Sequence, residues 1–496
     1  MVCDLARNAM LLLGLVAAAA AQDGWSMFRG STFRDGNTRE VGPSGNGTLW
    51  RFLLRDRSFA PPSVHPDGSI VYVGGKQGLY GVSRDGGFVF RVPVNKGVIN
   101  SSPAVCAERR IVVFGGGDGV VYGVDARSGA VRWRVATGKP RKGSRGAPYV
   151  YSSPVLDGDV AYVGASDGLL YALNVDPAVA DGARVRWTFD AVEPLWSSPA
   201  LSADRALVYV GGCDNALHAV HAANGTAAWA YETGGFPDDA DDPDVDSSPA
   251  VSRSDGTVYV GSFDNRLHAL DGQTGLVKWT YATSDDVISS PAVAFDGSLV
   301  YVTSLDGFVH AVDAPSGRAV WKVDLGTPVY SEPALDGSGA LLVGADDGRL
   351  HALDAASGAH RWAHTIGDAV RGEPAIFGGR AYVATLNDDA FLHCVGAPEP
   401  RAPTAAPAPA PTPAASGASP LSDKAWKVLA VSSVVGFGLL VLAGSLAIAV
   451  PKCLRARERR DGRALLAQHL VDDDQFADVN FIELRGREGA GPLTSI

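Results

Sequence analysis

Thr257-Val258-Tyr259-Val260, Gly261-Ser262-Phe263-Asp264-Asn265, Arg266-Leu267-His268-Ala269-Leu270 and Asp271-Gly272-Gln273-Thr274-Gly275-Leu276-Val277-Lys278-Trp279 form one continuous stretch, and its reading decides the fold. The first and third segments alternate in the two-residue period of strands. The Asp-Asn between them supplies the positive φ that a tight hairpin turn demands. After Asp271–Gly275 a further run carries Trp279, and Ser247-Ser248-Pro249 opens a short run before Thr257. The unit therefore has four strands, A to D, joined by turns.

The unit recurs along the chain. Ser-Ser-Pro stands again at Ser101, Ser152, Ser197 and Ser289, with degenerate versions at Pro61-Pro62-Ser63, Ser331-Glu332-Pro333 and Gly372-Glu373-Pro374. The spacing is roughly 41 to 51 residues, and four-stranded units at this period are the signature of propeller blades. A lone blade cannot bury both faces, so neighbours must stack and the ring must close. Seven units end in an aromatic D strand, at Phe90, Trp133, Trp187, Trp229, Trp279, Trp321 and Trp362. The eighth, Arg380 to Val395, lacks one and runs into proline-rich sequence. An orphan strand, Thr48-Leu49-Trp50-Arg51-Phe52, precedes the first unit. If Trp50 completes the eighth blade, no exposed edge remains. The expectation is an all-β, eight-bladed propeller over residues 48–396, closed by its N-terminal strand. A seven-bladed ring with one unit mis-split is the alternative.

Ala269-Leu270-Asp271-Gly272-Gln273-Thr274-Gly275-Leu276-Val277-Lys278-Trp279 resembles the tryptophan-docking motif of propellers of the pyrroloquinoline-quinone (PQQ) type. Close copies end at Trp133, Trp321 and Trp362, and a variant with His221 and Asn224 ends at Trp229. Trp25-Ser26-Met27-Phe28-Arg29-Gly30 is similar to a segment that often precedes the first blade of that family. The resemblance covers residues 25–396. It implies the fold, with the aromatic rings packed between blades. It does not choose a function, because the family holds both quinoprotein dehydrogenases and non-catalytic scaffolds.

The dehydrogenase branch implies a calcium ion held by carboxylate and amide groups, a catalytic Asp, a stacking Trp and, often, a disulfide of adjacent cysteines. No cysteines are adjacent in this sequence, and no catalytic residue of the family can be placed on any position. No cofactor is expected, with PQQ and calcium as the alternative. Glu332 and Glu373 replace the second Ser in consecutive units, near the axis, with Arg371 two residues from Glu373. They are candidates for a small-molecule or cation site in the funnel. A hydrated Glu–Arg pair or a backbone-bonding carboxylate is the structural alternative. His218, His268, His310, His351 and His393 share one strand C position, but equivalent residues on separate blades are too far apart for one zinc ion. They read as packing residues with a polar tip. Lys139, Arg141, Lys142 and Arg145 make a basic D–A loop. Asp238, Asp239, Asp241, Asp242, Asp244 and Asp246 make an acidic one. Both lie on the face that carries the B–C turns, which points to a protein partner docked by complementary charge.

The net charge of −11 argues against nucleic-acid binding, which needs a basic footprint. Residues 1–21 read as a secretory signal, with Arg7 ahead of an apolar run and Ala19-Ala20-Ala21 as the cleavage site. Residues 22–47 form a lead-in. Residues 397–424 are Pro- and Ala-rich and read as an extended stalk. The uncharged stretch Val428 to Val450 is long enough to cross a bilayer, and the Arg and Lys after it place the tail, 451–496, in the cytosol. The expectation is a single-pass type I membrane protein with an extracellular or lumenal propeller, at the plasma membrane or in secretory or endosomal membranes. Cys453 is a palmitoylation candidate. Asn46, Asn100 and Asn224 begin glycosylation sequons, of which Asn100 enters strand A and is the poorest acceptor. Two functions follow: an interaction or ligand-binding module, and, alternatively, a quinoprotein-like oxidoreductase or small-molecule sensor using the funnel.

Overall fold

Eight antiparallel sheets of four strands each make the ring. The computed structural model describes residues 25–54, 58–95, 97–141, 148–234, 245–387 and 389–397. All belong to one compact unit, Met1–Arg401. The signal, the stalk from 398, the 428–450 stretch and the tail with Cys453 lie outside the described residues. So do most of the basic and acidic D–A loops. Among the described residues no helix is long and apolar enough to cross a membrane.

The blade that decided the fold is built as its pattern requires: A, Ala250–Val251; B, Thr257–Ser262; C, Arg266–Asp271; D, Val277–Ala282. Strand B is buried throughout, whereas strand D alternates between exposed and half-buried. The buried side chains thus sit toward the axis and between blades. The eighth blade takes its D strand, Gly47–Leu53, from the N-terminus. Gly47 pairs with Gly396, Trp50 with Cys394 and Leu53 with Phe391. This excludes the seven-bladed alternative and leaves no open ring edge.

The docking motif is explained atom by atom. Asp271 Oδ1 accepts hydrogen bonds from the backbone N–H of Gln273 and Thr274 and from the Thr274 hydroxyl, which fixes the turn. Gly275 follows at φ +72°, and a Cβ there would lie 2.7 Å from the Trp229 ring of the preceding blade. Only glycine satisfies both demands. Trp229 Nε1 in turn donates to Gly272 O at 3.0 Å. The same link joins Trp279 to Ala314, Trp321 to Ala355, Trp187 to Ala222, Trp133 to Val175 and, across the closure, Trp50 to Arg84. The residue cross-strand from each ring is small: Ala269 faces Trp279, and Gly123 faces Trp133. For Trp362 no such donor bond is seen among the described residues.

The two serines of Ser-Ser-Pro have separate tasks. The first caps its own blade: Ser247 Oγ accepts from Gly261 N, as Ser101, Ser152 and Ser197 do from Gly115, Gly164 and Gly211. The second links blades. Ser153, Ser198, Ser248 and Ser290 each accept the N–H of the equivalent serine one blade earlier, at 2.9–3.1 Å. A buried chain of hydrogen bonds therefore runs around the axis and satisfies backbone groups that would otherwise be orphaned. It stops where Glu332 and Glu373 replace serine.

Candidate functional site

The lead-in does not lie outside the ring. Residues 25–41 run around the inside of the central channel and meet the blades in chain order. Val64 of blade 1 donates its N–H to Trp25 O, and Val105 of blade 2 to Ser26 O. Leu201, Val251, Val293 and Leu335, on blades 4 to 7, donate to Thr32, Phe33, Asp35 and Gly36. Gly379, in the A–B turn of blade 8, donates to Val41 O. Trp25, Arg29 and Arg34 have no solvent exposure. These contacts fall on the ends of the A strands and on the A–B turns, so the segment closes the channel from that face.

Two arginines fix the plug. Arg34 donates to Ser153 O and Pro154 O of blade 3 at 2.8 and 2.7 Å, to Pro199 O of blade 4 at 3.0 Å and to Phe28 O. Burial pulls its guanidinium down to about 9, which leaves it cationic at neutral pH. Arg29 donates to Pro333 O, Pro291 O and Arg34 O. Its Nη1 also lies 2.9 Å from Glu373 Oε1, and its backbone N–H donates to Glu373 Oε2 at 3.0 Å. Glu373 is fully buried, and burial pushes its carboxyl up, to about 8, with Arg29 pulling the other way.

The expected neighbourhood of Glu332, Glu373 and Arg371 is thus divided. Arg371 does not pair with Glu373. It makes a two-pronged pair with Asp346 at 2.9 and 2.8 Å and lies over the Tyr330 ring at 4.1 Å. Glu373 belongs to a dry pair with Arg29 instead of a hydrated one, because the lead-in brings a cation that sequence spacing could not place beside it. Of the two glutamates, Glu332 keeps partial exposure and Glu373 has none. Burial pushes the Glu332 carboxyl up to about 7, with the charge of Arg29 pulling the other way.

Above the plug, the channel opens toward the face of the D–A loops and B–C turns. The side chain just before each Ser-Ser position lines this mouth, and all are partly exposed: Tyr151, Trp196, Ile288, Tyr330 and Arg371 are among them. Tyr149 and Tyr151 stack at 4.0 Å, with Trp196 6.2 Å from Tyr149. Asn100 sits in this ring too, in a D–A loop and not in strand A, which spans Ala104–Cys106. Among the described residues the buried Trp196 Nε1 and Asn100 Oδ1 have no hydrogen-bond partner.

The strand C histidines bind no common group. His218, His268, His310 and His351 each hold, through Nε2, the aspartate four residues earlier in their own B–C turn: Asp214, Asp264, Asp306 and Asp347. Nδ1 of His268 and His310 faces the hydroxyls of Tyr231 and Tyr281 of the preceding blade, at 3.0 and 3.1 Å. Arg141 of the basic loop turns inward to Asp167 O and Asp190. Asn46 and Asn224 are exposed. No disulfide joins Cys106, Cys213 and Cys394.

The residues present do not fit a quinone cofactor with calcium. The buried carboxylate at the second-Ser position of blade 8, Glu373, is matched by Arg29, whose cation fills the position beside it. A calcium ion there would face that charge at contact distance. Among the described residues no three His, Cys, Asp or Glu side chains converge on one point.

A family model described as outer membrane protein assembly factor BamB matches residues 34–178, 117–240, 239–307 and 305–394. A curated relative of that same description, from Shewanella oneidensis, is 29% identical over 138 residues, 27% of this chain and 31% of the relative. The match thus spans about a third of that relative. Among solved structures, BamB from Moraxella catarrhalis superposes with a TM-score of 0.58 at 19% identity, covering 71% of this chain and 100% of that one. A europium-containing methanol dehydrogenase superposes with 0.62 at 14%, covering 76% and 98%. The quinohemoprotein alcohol dehydrogenase of Comamonas testosteroni gives 0.62 at 14%, covering 77% and 82%. These superpositions speak for the fold.

Proposed function

The chain belongs to the family described as outer membrane protein assembly factor BamB, and from that premise we propose that it is an interaction scaffold, held on the non-cytosolic side of a membrane and offering its loop face to a protein partner. One observation carries this reading: the channel that a propeller enzyme would use for a cofactor is filled, on one face, by the chain's own residues 25–41. The exposed functional surface that remains is the opposite face, rich in the aromatic and Arg side chains that dominate protein interfaces. The name of the Shewanella relative, an assembly factor, agrees with a role in holding other proteins.

The membrane tether is part of the proposal. The uncharged stretch 428–450 is its anchor, the Pro- and Ala-rich stretch before it is the spacer, and Cys453 is a second, lipid-bearing hold. Asn46 and Asn224 are the glycan acceptors where the compartment supplies the machinery. The oxidoreductase reading would require Arg29 to leave Glu373, and nothing in the geometry favours that.

A photocrosslinking residue placed at Val192, 62% exposed in a loop-face turn, tests the reading in intact cells. A discrete crosslinked protein is expected from Val192 and none from Phe295, which is exposed in an A–B turn on the opposite face. Equal products from both positions would refute the assignment of the loop face.

A further inference from the structure

The channel mouth is a blind vestibule. Its floor is the ring of second-Ser positions, sealed beneath by Phe28, Arg29 and Arg34. The floor is uneven. Ser102, Ser153, Ser198, Ser248 and Ser290 are at most 5% exposed and are spent on the blade-to-blade chain, whereas Glu332, at the same position of its unit, is half-buried. No group of another described residue hydrogen-bonds the Glu332 carboxylate; only its own backbone N–H reaches it. The second axial glutamate has its cation built in. Glu332 is placed like Glu373 but has none in contact.

Charge on the blade 5 to 8 side of the mouth points the same way, while Lys139 and Arg141 lie across from it in the D–A loop between blades 2 and 3. The D–A loops and B–C turns of blades 5 to 8 carry Asp246, Asp264, Asp285, Asp286, Asp306, Asp346, Asp347, Asp368 and Asp389, against Arg371 in a D–A loop and Arg266 and Arg349 at the first residue of their C strands. Of these three, Arg371 is committed to Asp346, and Arg349 lies 4.0 Å from Asp347. The opposite wall, on blades 3 and 4, is aromatic: Tyr149, Tyr151 and Trp196. An acidic floor and rim facing an aromatic wall suits a cation carried on a chain: the carboxylates attract it, and the ring faces stabilise it once it is partly desolvated.

We propose that this vestibule docks a positively charged, extended segment of a protein partner, with one Lys or Arg side chain reaching Glu332 and its neighbours in the segment lying against Tyr151 and Trp196. The proposal rests on the interaction-scaffold reading and names the chemistry of its partner. Glu332 selects charge sign, the aromatic wall contributes contact area, and the plug limits how deep the segment enters.

The test uses the full-length protein in detergent with three synthetic octapeptides: arginine-rich, neutral glycine-serine, and glutamate-rich. Saturable binding of the arginine-rich peptide alone is expected, with a change in tryptophan emission that Trp196→Phe removes. Glu332→Gln should weaken binding about tenfold, the scale of losing one partly desolvated charge pair. Tyr151→Ala, at the rim, should weaken it without touching the floor. Phe295→Ser, on the opposite face, should bind as the parent does. Matching melting temperatures establish that the variants are folded; if Glu332→Gln is not, Tyr151→Ala and Trp196→Phe carry the test. Affinity unchanged in these vestibule variants would mean diffuse attraction to an acidic surface and would overturn the proposal. So would absence of binding, or preference for the neutral or acidic peptide. A failure here with a Val192-specific crosslink retained rejects the cationic segment alone, whereas loss of both rejects the scaffold reading as well.

Discussion

At the scale of single residues, the repeat motif is a set of answers to local problems. Trp133 is 2% exposed, donates to Val175 O and lies under Arg184 at 4.6 Å. Trp133→Ala should cost about 3–5 kcal/mol, read by chemical denaturation, through a cavity that the rigid blades cannot collapse. The Arg29–Glu373 pair behaves differently. Arg29→Met alone leaves a buried carboxylate without its cation and should cost about 3–5 kcal/mol, while Arg29→Met combined with Glu373→Leu should recover much of that loss. Glu332 sets a pH dependence. Its folded carboxyl is raised from 4.5 to about 7, so between those values the folded state holds a proton that the unfolded chain has released. Stability from this group is complete below pH 4.5 and is lost as pH rises to 7. Glu332→Gln should therefore flatten the fall in stability between pH 5 and 7 in denaturation curves taken across that range.

At the scale of elements, the closing strand was legible and the plug was not. An aromatic strand missing from the eighth unit and an unmatched Trp50 strand at the other end of the chain define a closure, because strand pairing is written in alternation and motif spacing. The lead-in offers no such pattern. It is held by its backbone carbonyls and by arginine forks on backbone oxygens, and those acceptors exist at every residue whatever the side chain. Two arginines and an aspartate within Arg29–Asp35 were a faint signal that this polar segment had partners waiting. The glutamates at 332 and 373 were visible as departures from Ser, but only the plug distinguishes a neutralised one from an open one. Deleting residues 22–41 should lower the melting temperature by about 10 °C, since it removes backbone contacts to most blades and two buried arginines. Removing the same length from the tail, 477–496, should leave the melting temperature of the ring unchanged.

At the scale of the whole molecule, two superpositions with dehydrogenases and one with an assembly factor describe one scaffold that serves different ends. In this chain the channel is occupied on one face by residues 25–41. The ring's hydrogen-bonded serine chain, its tryptophan links and its N-terminal plug all work to close and stiffen the molecule around its axis. The loops on one face are then displayed from a rigid support, which is how interaction surfaces are commonly arranged. Titration of the full-length protein with PQQ and calcium should accordingly leave its melting temperature unmoved at high ligand excess, where a saturable rise would restore the enzyme reading.

The filling of the channel by residues 25–41 is open to hydrogen–deuterium exchange on the intact protein. Peptides covering Trp25–Thr38 should exchange as slowly as those covering the inner B strands, such as Thr257–Ser262, because both are largely buried within the closed ring. Complete exchange of Trp25–Thr38 at the earliest time point, while the B strands remain protected, would mean that the segment lies outside the channel and that the axis is open.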